Sequence, residues 1–189
     1  FQFKKQFFDL INGVIPKSAN NLIRLVPELD HLLDEYLLTG GIMIAVNEYV
    51  KNKRISSQIY ELYIRQIMGD MSRINREEKT AKRILASILK RIGSAYSWNS
   101  IKTEADIPTQ PTVDQYAGIL HNMFVLNIVY KMELDGTIKL ASDKKVYILN
   151  PFIFHALNSW LLNPAKDPFE CSKEYLLSSE EKSKLIEAV

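Results

Sequence analysis

The residues able to carry chemistry are few and scattered. There is one cysteine, Cys171, and three histidines, His31, His121 and His155, far apart along the chain. A structural zinc site takes four Cys or His ligands in closely spaced groups, so no metal site is expected. None of the seven glycines opens a phosphate-cradling loop with a following Lys-Ser or Lys-Thr. Cys171 sits in Phe169-Glu170-Cys171-Ser172 with no nucleophile motif around it and reads as a packing residue. Asp30 and Asp34 share a helical face, with Glu28 and Glu35 nearby. Such carboxylates can do acid–base work or hold a cation, but a solvated face is the simpler reading. The sequence therefore offers no catalytic residue, no cofactor-binding residue and no metal ligand.

One arrangement could make a site. Residues 97–105 read as a short helix, 106–110 as a turn and 111–123 as a second helix with Val113, Tyr116, Ile119, Leu120 and Met123 inward. In DNA-binding helix-turn-helix domains the second helix enters the major groove. Its outward residues here are Thr109, Gln110, Thr112, Asp114, Gln115 and Asn122, and Gln and Asn can read adenine. Lys139, Lys144 and Lys145 follow as candidate phosphate contacts. The candidate DNA-binding set is thus Thr109, Gln110, Thr112, Gln115, Asn122, Lys139, Lys144 and Lys145. The second helix carries no Lys or Arg, however, and Asp114 would face phosphate unfavourably. A structural or protein-contact role is favoured, with DNA binding as the alternative. A basic stretch, Arg73, Arg76, Lys79, Lys82, Arg83, Lys90 and Arg91, reads as a solvated helix face.

The elements that would hold this arrangement are mostly helical. Phe3, Phe7, Leu10, Ile11 and Val14 recur at helical spacing. A second helix starts near Pro27 and stops at Gly40-Gly41, and a short one carries Ile44, Val46, Tyr49 and Val50. Ser56-Ser57 caps a helix facing Ile59, Leu62, Tyr63 and Ile67 inward. Asn75 with Glu78 caps the next, whose stripe is Ile84, Leu85, Ile88, Leu89 and Ile92, closed by Gly93. The runs 124–132 and 145–149 have strand composition, with Asp135-Gly136 between them. Asn150-Pro151 ends the hairpin, a helix follows over 152–162, and Asn163-Pro164 and Asp167-Pro168 break the chain again. Residues 180–189 read as a helix with Leu185, Ile186 and Val189 on one face. The expected fold is mostly α: a helical bundle followed by a winged helix-turn-helix with a small antiparallel β-hairpin. The expected division is a lid-like helical segment at 1–93, a winged helix at 94–150 and a helical extension at 151–189.

Composition agrees with a globular chain of 189 residues, 47% hydrophobic and 24% charged. With 24 Lys+Arg against 22 Asp+Glu, electrostatics do not demand a nucleic-acid partner. A single cysteine fits a reducing, cytoplasmic compartment, and no apolar run is long enough for a membrane span. The start at Phe1-Gln2-Phe3-Lys4-Lys5 and the uncapped end read as the edges of a piece cut from a longer protein.

The order of motifs carries a resemblance. Tyr36-Leu37-Leu38-Thr39-Gly40-Gly41 resembles the Y-L-x-x-G-G motif that follows the nucleotide-binding core in a large prokaryotic family of AAA+ ATPases. Ile42-Met43-Ile44 stand where that family usually has an aromatic residue, a proline and an acidic residue. Ile67-Met68-Gly69-Asp70-Met71, the helix-turn-helix from Ser97, Thr112-Val113-x-x-Tyr116-x-x-Ile119-Leu120 and Lys145-Val146-Tyr147-Ile148 also match, with Asn150 at a position where Asp is typical. Lys184-Leu185-Ile186-Glu187-Ala188-Val189 is similar to the approach to a PD-(D/E)xK nuclease-like domain. The resemblance implies a parent that binds and hydrolyses ATP with Mg, while this piece holds no ATP-binding residue and hydrolyses none alone. It implies the parent's own ATPase core and downstream domain as partners, with DNA as a candidate, no membrane, and any oligomer formed through the parent. Asp70 takes a helix cap or a salt bridge to a nearby Arg as its default role.

Overall fold

A computed structural model describes residues 25–188; the helix expected on Phe3 to Val14, and Val189, lie outside the described residues. The chain divides into two compact units, Phe1–Glu35 and Tyr36–Val189. The described elements are α1 (Val26–Thr39), α2 (Met43–Asn52), α3 (Ser57–Arg73), α4 (Glu78–Leu89), β1 (Ala95–Tyr96), α5 (Trp98–Glu104), α6 (Gln110–Asn122), β2 (Leu126–Tyr130), β3 (Lys144–Ile148), α7 (Pro151–Leu162), α8 (Pro168–Leu177) and α9 (Ser179–Ala188). The mostly helical expectation holds, with one small antiparallel sheet in the order β1-β3-β2. Among the described residues no helix is long and apolar enough to cross a membrane.

In the first unit, His31 Nε2 lies 3.6 Å from Glu35 Oε1, one helical turn on. The second unit has its core along α3, α4 and α7. Tyr60, Ile64, Ile67, Met68 and Met71 line the buried face of α3. Leu62, expected inward, is 47% exposed, because two positions on from Tyr60 is about 200°, the opposite side of the helix. Ser56 makes no side-chain cap; its N–H and hydroxyl both donate to Glu48 Oε2, at 2.8 and 3.2 Å. Asn75 does not cap α4 either. It takes a left-handed φ of 56°, which Asn tolerates, in the turn that closes α3, and Glu77 stands at the N-cap. The α4 stripe is buried as expected, with Ala81, Ile84, Leu85 and Ile88 fully so.

β1 pairs Ala95 with Lys145 and Tyr96 with Lys144, and β2 pairs with β3 from Leu126↔Ile148 to Tyr130↔Lys144. The hairpin then continues past β2 to a bridge between Met132 and Ile138 and a turn at Gly136, φ 83°. Between those two pairings one strand advances two residues and the other six. The four extra residues, Leu140 to Asp143, therefore form a bulge at the root of the hairpin tip.

α7 is buried all round from Pro151 to Ser159, so it is the central helix. Phe152 stacks on Tyr60 with ring centroids 4.7 Å apart, and Tyr63 meets it edge-on at 5.6 Å. His155, 1% exposed, places Nε2 3.1 Å from the Leu37 carbonyl oxygen at the end of α1. Its start is set by Asn150. The Asn150 Oδ1 accepts from the N–H groups of Phe152 (2.9 Å) and Ile153 (3.4 Å), while Nδ2 donates to the Gly40 carbonyl at 2.8 Å. Gly40 has a φ of 59°, and a Cβ there would collide with the Asn150 amide. Asp167 caps α8 in the same way, accepting from Phe169 and Glu170. On α9, Leu185 is buried but Ile186, expected beside it, is 45% exposed, since adjacent helix positions point about 100° apart.

Asn150→Asp keeps the cap acceptor but removes the donor to Gly40 and sets a carboxylate against its carbonyl. We expect a loss of about 1–3 kcal/mol in urea unfolding with an unchanged m-value. Gly40→Ala, which adds both the collision and left-handed strain, should cost more than about 1 kcal/mol. Burial holds the His155 imidazole down from 6.5 to about 4, against a smaller opposing effect of its bond to Leu37. Below pH 6.5 the unfolded chain therefore binds the extra proton first. Stability is complete above 6.5 and falls as the pH drops towards 4, by roughly 3 kcal/mol. His155→Gln should remove that part of the pH dependence of the urea midpoint.

Candidate functional site

The eight residues selected from the sequence occupy several different settings. Thr109 is the N-cap of α6: its Oγ1 accepts from Thr112 N–H at 3.3 Å, and the two hydroxyls lie 2.9 Å apart. Thr109 and Thr112 thus satisfy each other at the helix start. Gln110, Asp114 and Gln115 are exposed on the first turns of α6, while Asn122 is exposed at its far end, about 18 Å along the axis. Gln110 and Gln115 therefore share one end of the helix, and Asn122 is not brought to them.

The three lysines separate further. Strand alternation puts Lys144, Val146 and Ile148 on the core face of β3, and Lys144 is 2% exposed. Its Nζ donates to the Leu140 carbonyl at 3.1 Å and lies 4.8 Å from the Trp98 ring centroid and 5.7 Å from that of Tyr130. Burial pushes its pKa down, partly offset by the Asp114 and Asp143 carboxylates. Lys145, on the opposite face, donates to Glu187 Oε1 of α9 at 2.6 Å, and the Tyr147 hydroxyl donates to the same oxygen at 2.7 Å. Those two bonds hold the Glu187 carboxyl below its usual range. Lys139 lies 3.1 Å from Glu133 Oε1, which Lys131 also approaches at 3.3 Å. The hairpin lysines are therefore turned inward, clamped to α9, or paired with Glu133 in the hairpin itself.

Most of the basic stretch around α4 is met in the same local way. Arg73 bonds Asp70 (2.8 Å), Lys82 pairs with Glu78 (2.7 Å) and lies over the Trp160 ring, Arg83 bonds Asp106, and Arg91 bonds Glu104 (2.7 Å). Asp70 thus takes the salt-bridge role expected of it.

What charge counting overlooked is the apolar tip. Met132 and Ile138 are 66% and 60% exposed, and Leu134 is fully exposed. The alternation Met132-Glu133-Leu134 and Ile138-Lys139 puts the apolar residues on one face of the ribbon and the Lys131–Glu133–Lys139 group on the other. That alternation was readable in the sequence once the hairpin was placed.

The helical layer also holds a cleft of about 560 Å³ between α3, α7 and the loop before α8, lined by Tyr60, Ile64, Arg65, Ser159, Trp160 and Lys166 among others. Its polar groups already have partners: Lys166 with Glu174 at 2.7 Å, Arg65 with Glu61 at 3.6 Å, and the Tyr60 hydroxyl with Ser172 at 3.3 Å. Cys171 is buried at 6% exposure, and that burial pushes its thiol pKa up. No group of three His, Cys, Asp or Glu side chains is placed to hold a metal among the described residues.

A buried thiol with a raised pKa is a poor nucleophile. Folded protein at neutral pH should react with a disulfide reagent at least about 100-fold more slowly than urea-unfolded protein. Equal rates would show that Cys171 is accessible and activated.

Comparison with known proteins gives one match. A family model described as Domain of unknown function (DUF8612) covers residues 30–163. No curated protein and no solved structure matches the chain. The matched stretch includes both ends of the Gly40–Asn150 bond and all of α2 to α7. The chain belongs to the DUF8612 family.

Proposed function

We propose that residues 94–150 are a winged helix used for protein contact, within the non-catalytic C-terminal part of an AAA+-type ATP-binding protein. The order α4-β1-α5-α6-β2-β3, with β1 set against β3, supports the winged-helix reading. The order of motifs from Tyr36-Leu37 through Gly40-Gly41 to Lys145-Val146-Tyr147-Ile148 supports the AAA+ relation. In this reading the ATP and Mg sites belong to the parent's upstream core, and the chain regulates or contacts that core and the parent's downstream domain in the cytoplasm.

The observation that carries a protein-contact role is the hairpin tip. An exposed apolar ribbon face suits burial against protein, and phosphate binding needs free cations. The wing offers the first and is short of the second. The exposed Gln110 and Gln115 at one end of α6 favour the alternative, a DNA-reading winged helix.

Titration of the chain with labelled duplex DNA at about 50 and about 200 mM salt separates the two. We expect weak binding that changes little across this range. Tight binding that falls steeply with salt, and that Lys139→Ala weakens on every sequence while Gln115→Ala relaxes specificity, would establish the DNA reader instead.

A further inference from the structure

We infer that Lys144 is the positioning residue of the hairpin, a latch that fixes where the apolar tip points relative to α5 and α6. The inference goes beyond the protein-contact reading, because it applies whichever partner the wing meets.

A lysine on the core face of a strand is anomalous. Desolvating an ammonium is costly, and the hydrogen bond this one makes among the described residues goes to a neutral backbone carbonyl. A methionine would fill the same space without that cost. The ammonium does three things that an apolar side chain would not. It gives a charged donor to the Leu140 carbonyl, which the bulge of Leu140 to Asp143 has taken out of the β ladder. It lies over the Trp98 ring, which is fixed at the first turn of α5, where Ser97 accepts from Ser100 N–H at 3.2 Å. It also faces the ring of Tyr130, its own partner across the β2–β3 ladder.

One side chain thus joins the loop that leads into the tip, the last ladder pair and the helix-turn-helix. The rest of the bulge closes on itself, with Ser142 donating to the Lys139 carbonyl from both its N–H (3.1 Å) and its hydroxyl (2.7 Å). Beyond it, Met132, Leu134 and Ile138 are exposed, so the direction of the tip is set at its root. The groups facing the ammonium are accordingly Trp98, Tyr130 and Leu140, with Asp114 and Asp143 as the nearby charges.

The test is amide hydrogen exchange on the full chain carrying Lys144→Met. The reporters are the hydrogen-bonded N–H groups of the wing (Glu133, Gly136, Lys139 and Ser142) against those of the ladder at Leu149, which donates to the Val125 carbonyl, and at Tyr147, two residues before it on the same side of the strand. We expect wing exchange to rise about tenfold or more with the ladder unchanged, and Lys144→Arg, which keeps a cation over the rings, to stay within about threefold of the original. Unchanged wing exchange, or wing and ladder rising together as for ordinary loss of core stability, would overturn the latch. Should Lys144→Met not fold, Tyr130→Leu removes one ring and leaves the ammonium. A rise confined to the wing then supports the latch, and any other pattern overturns it.

Discussion

The side-chain amide of Asn150 holds three parts of the chain at one point. Its oxygen starts α7, the helix around which the second unit is packed, and its nitrogen takes the carbonyl of Gly40 at the end of α1. Because Asn150 directly follows β3, the exit of the sheet is set by the same group. The arrangement needs an amide, since only that group offers an acceptor and a donor on one planar end. It also needs a residue without a Cβ at position 40, where left-handed backbone and close approach coincide.

Other polar groups work on the same plan of joining distant segments. His155 ties α7 to Leu37, Tyr60 ties α3 to Ser172 of α8, and Tyr147 with Lys145 ties β3 to Glu187 of α9. The first two satisfy groups that burial would otherwise leave unpaired, and all three join segments far apart in the chain. The same economy explains the electrostatics. Most of the basic residues around α4 are met by nearby carboxylates or rings, as Lys82 is by Glu78 and Trp160 and Arg91 by Glu104.

Much of the helical architecture was legible in the sequence because apolar residues recur at the helical period. The α4 stripe and the stop at Gly40-Gly41 follow from local rules, whereas the caps expected at Ser56 and Asn75 are not made. Contacts between distant positions were not legible. Gly40-Gly41 read as a helix stop and Asn150 as the end of a hairpin, and nothing local says that they bond. β1 is two residues long, too short to show alternation. Leu62 and Ile186 were assigned to the wrong face because apolar type was allowed to outweigh helix angle. At the candidate site, counting lysines missed that Lys144 and Lys145 must face opposite ways on one strand. The apolar ribbon of Met132, Leu134 and Ile138 emerges only once the hairpin register sets these residues on one face.

The central structural claim is that the helical layer and the sheet module fold as one cooperative unit around the Asn150 junction. It is tested most directly by urea unfolding of the Trp160→Phe protein, which leaves Trp98 beside the sheet as the sole tryptophan. Far-ultraviolet circular dichroism follows the helices, and fluorescence follows Trp98. The account predicts one coincident transition with a single midpoint. Loss of the Trp98 signal at lower urea than the helical signal would contradict it and would make the sheet module a separately folding domain.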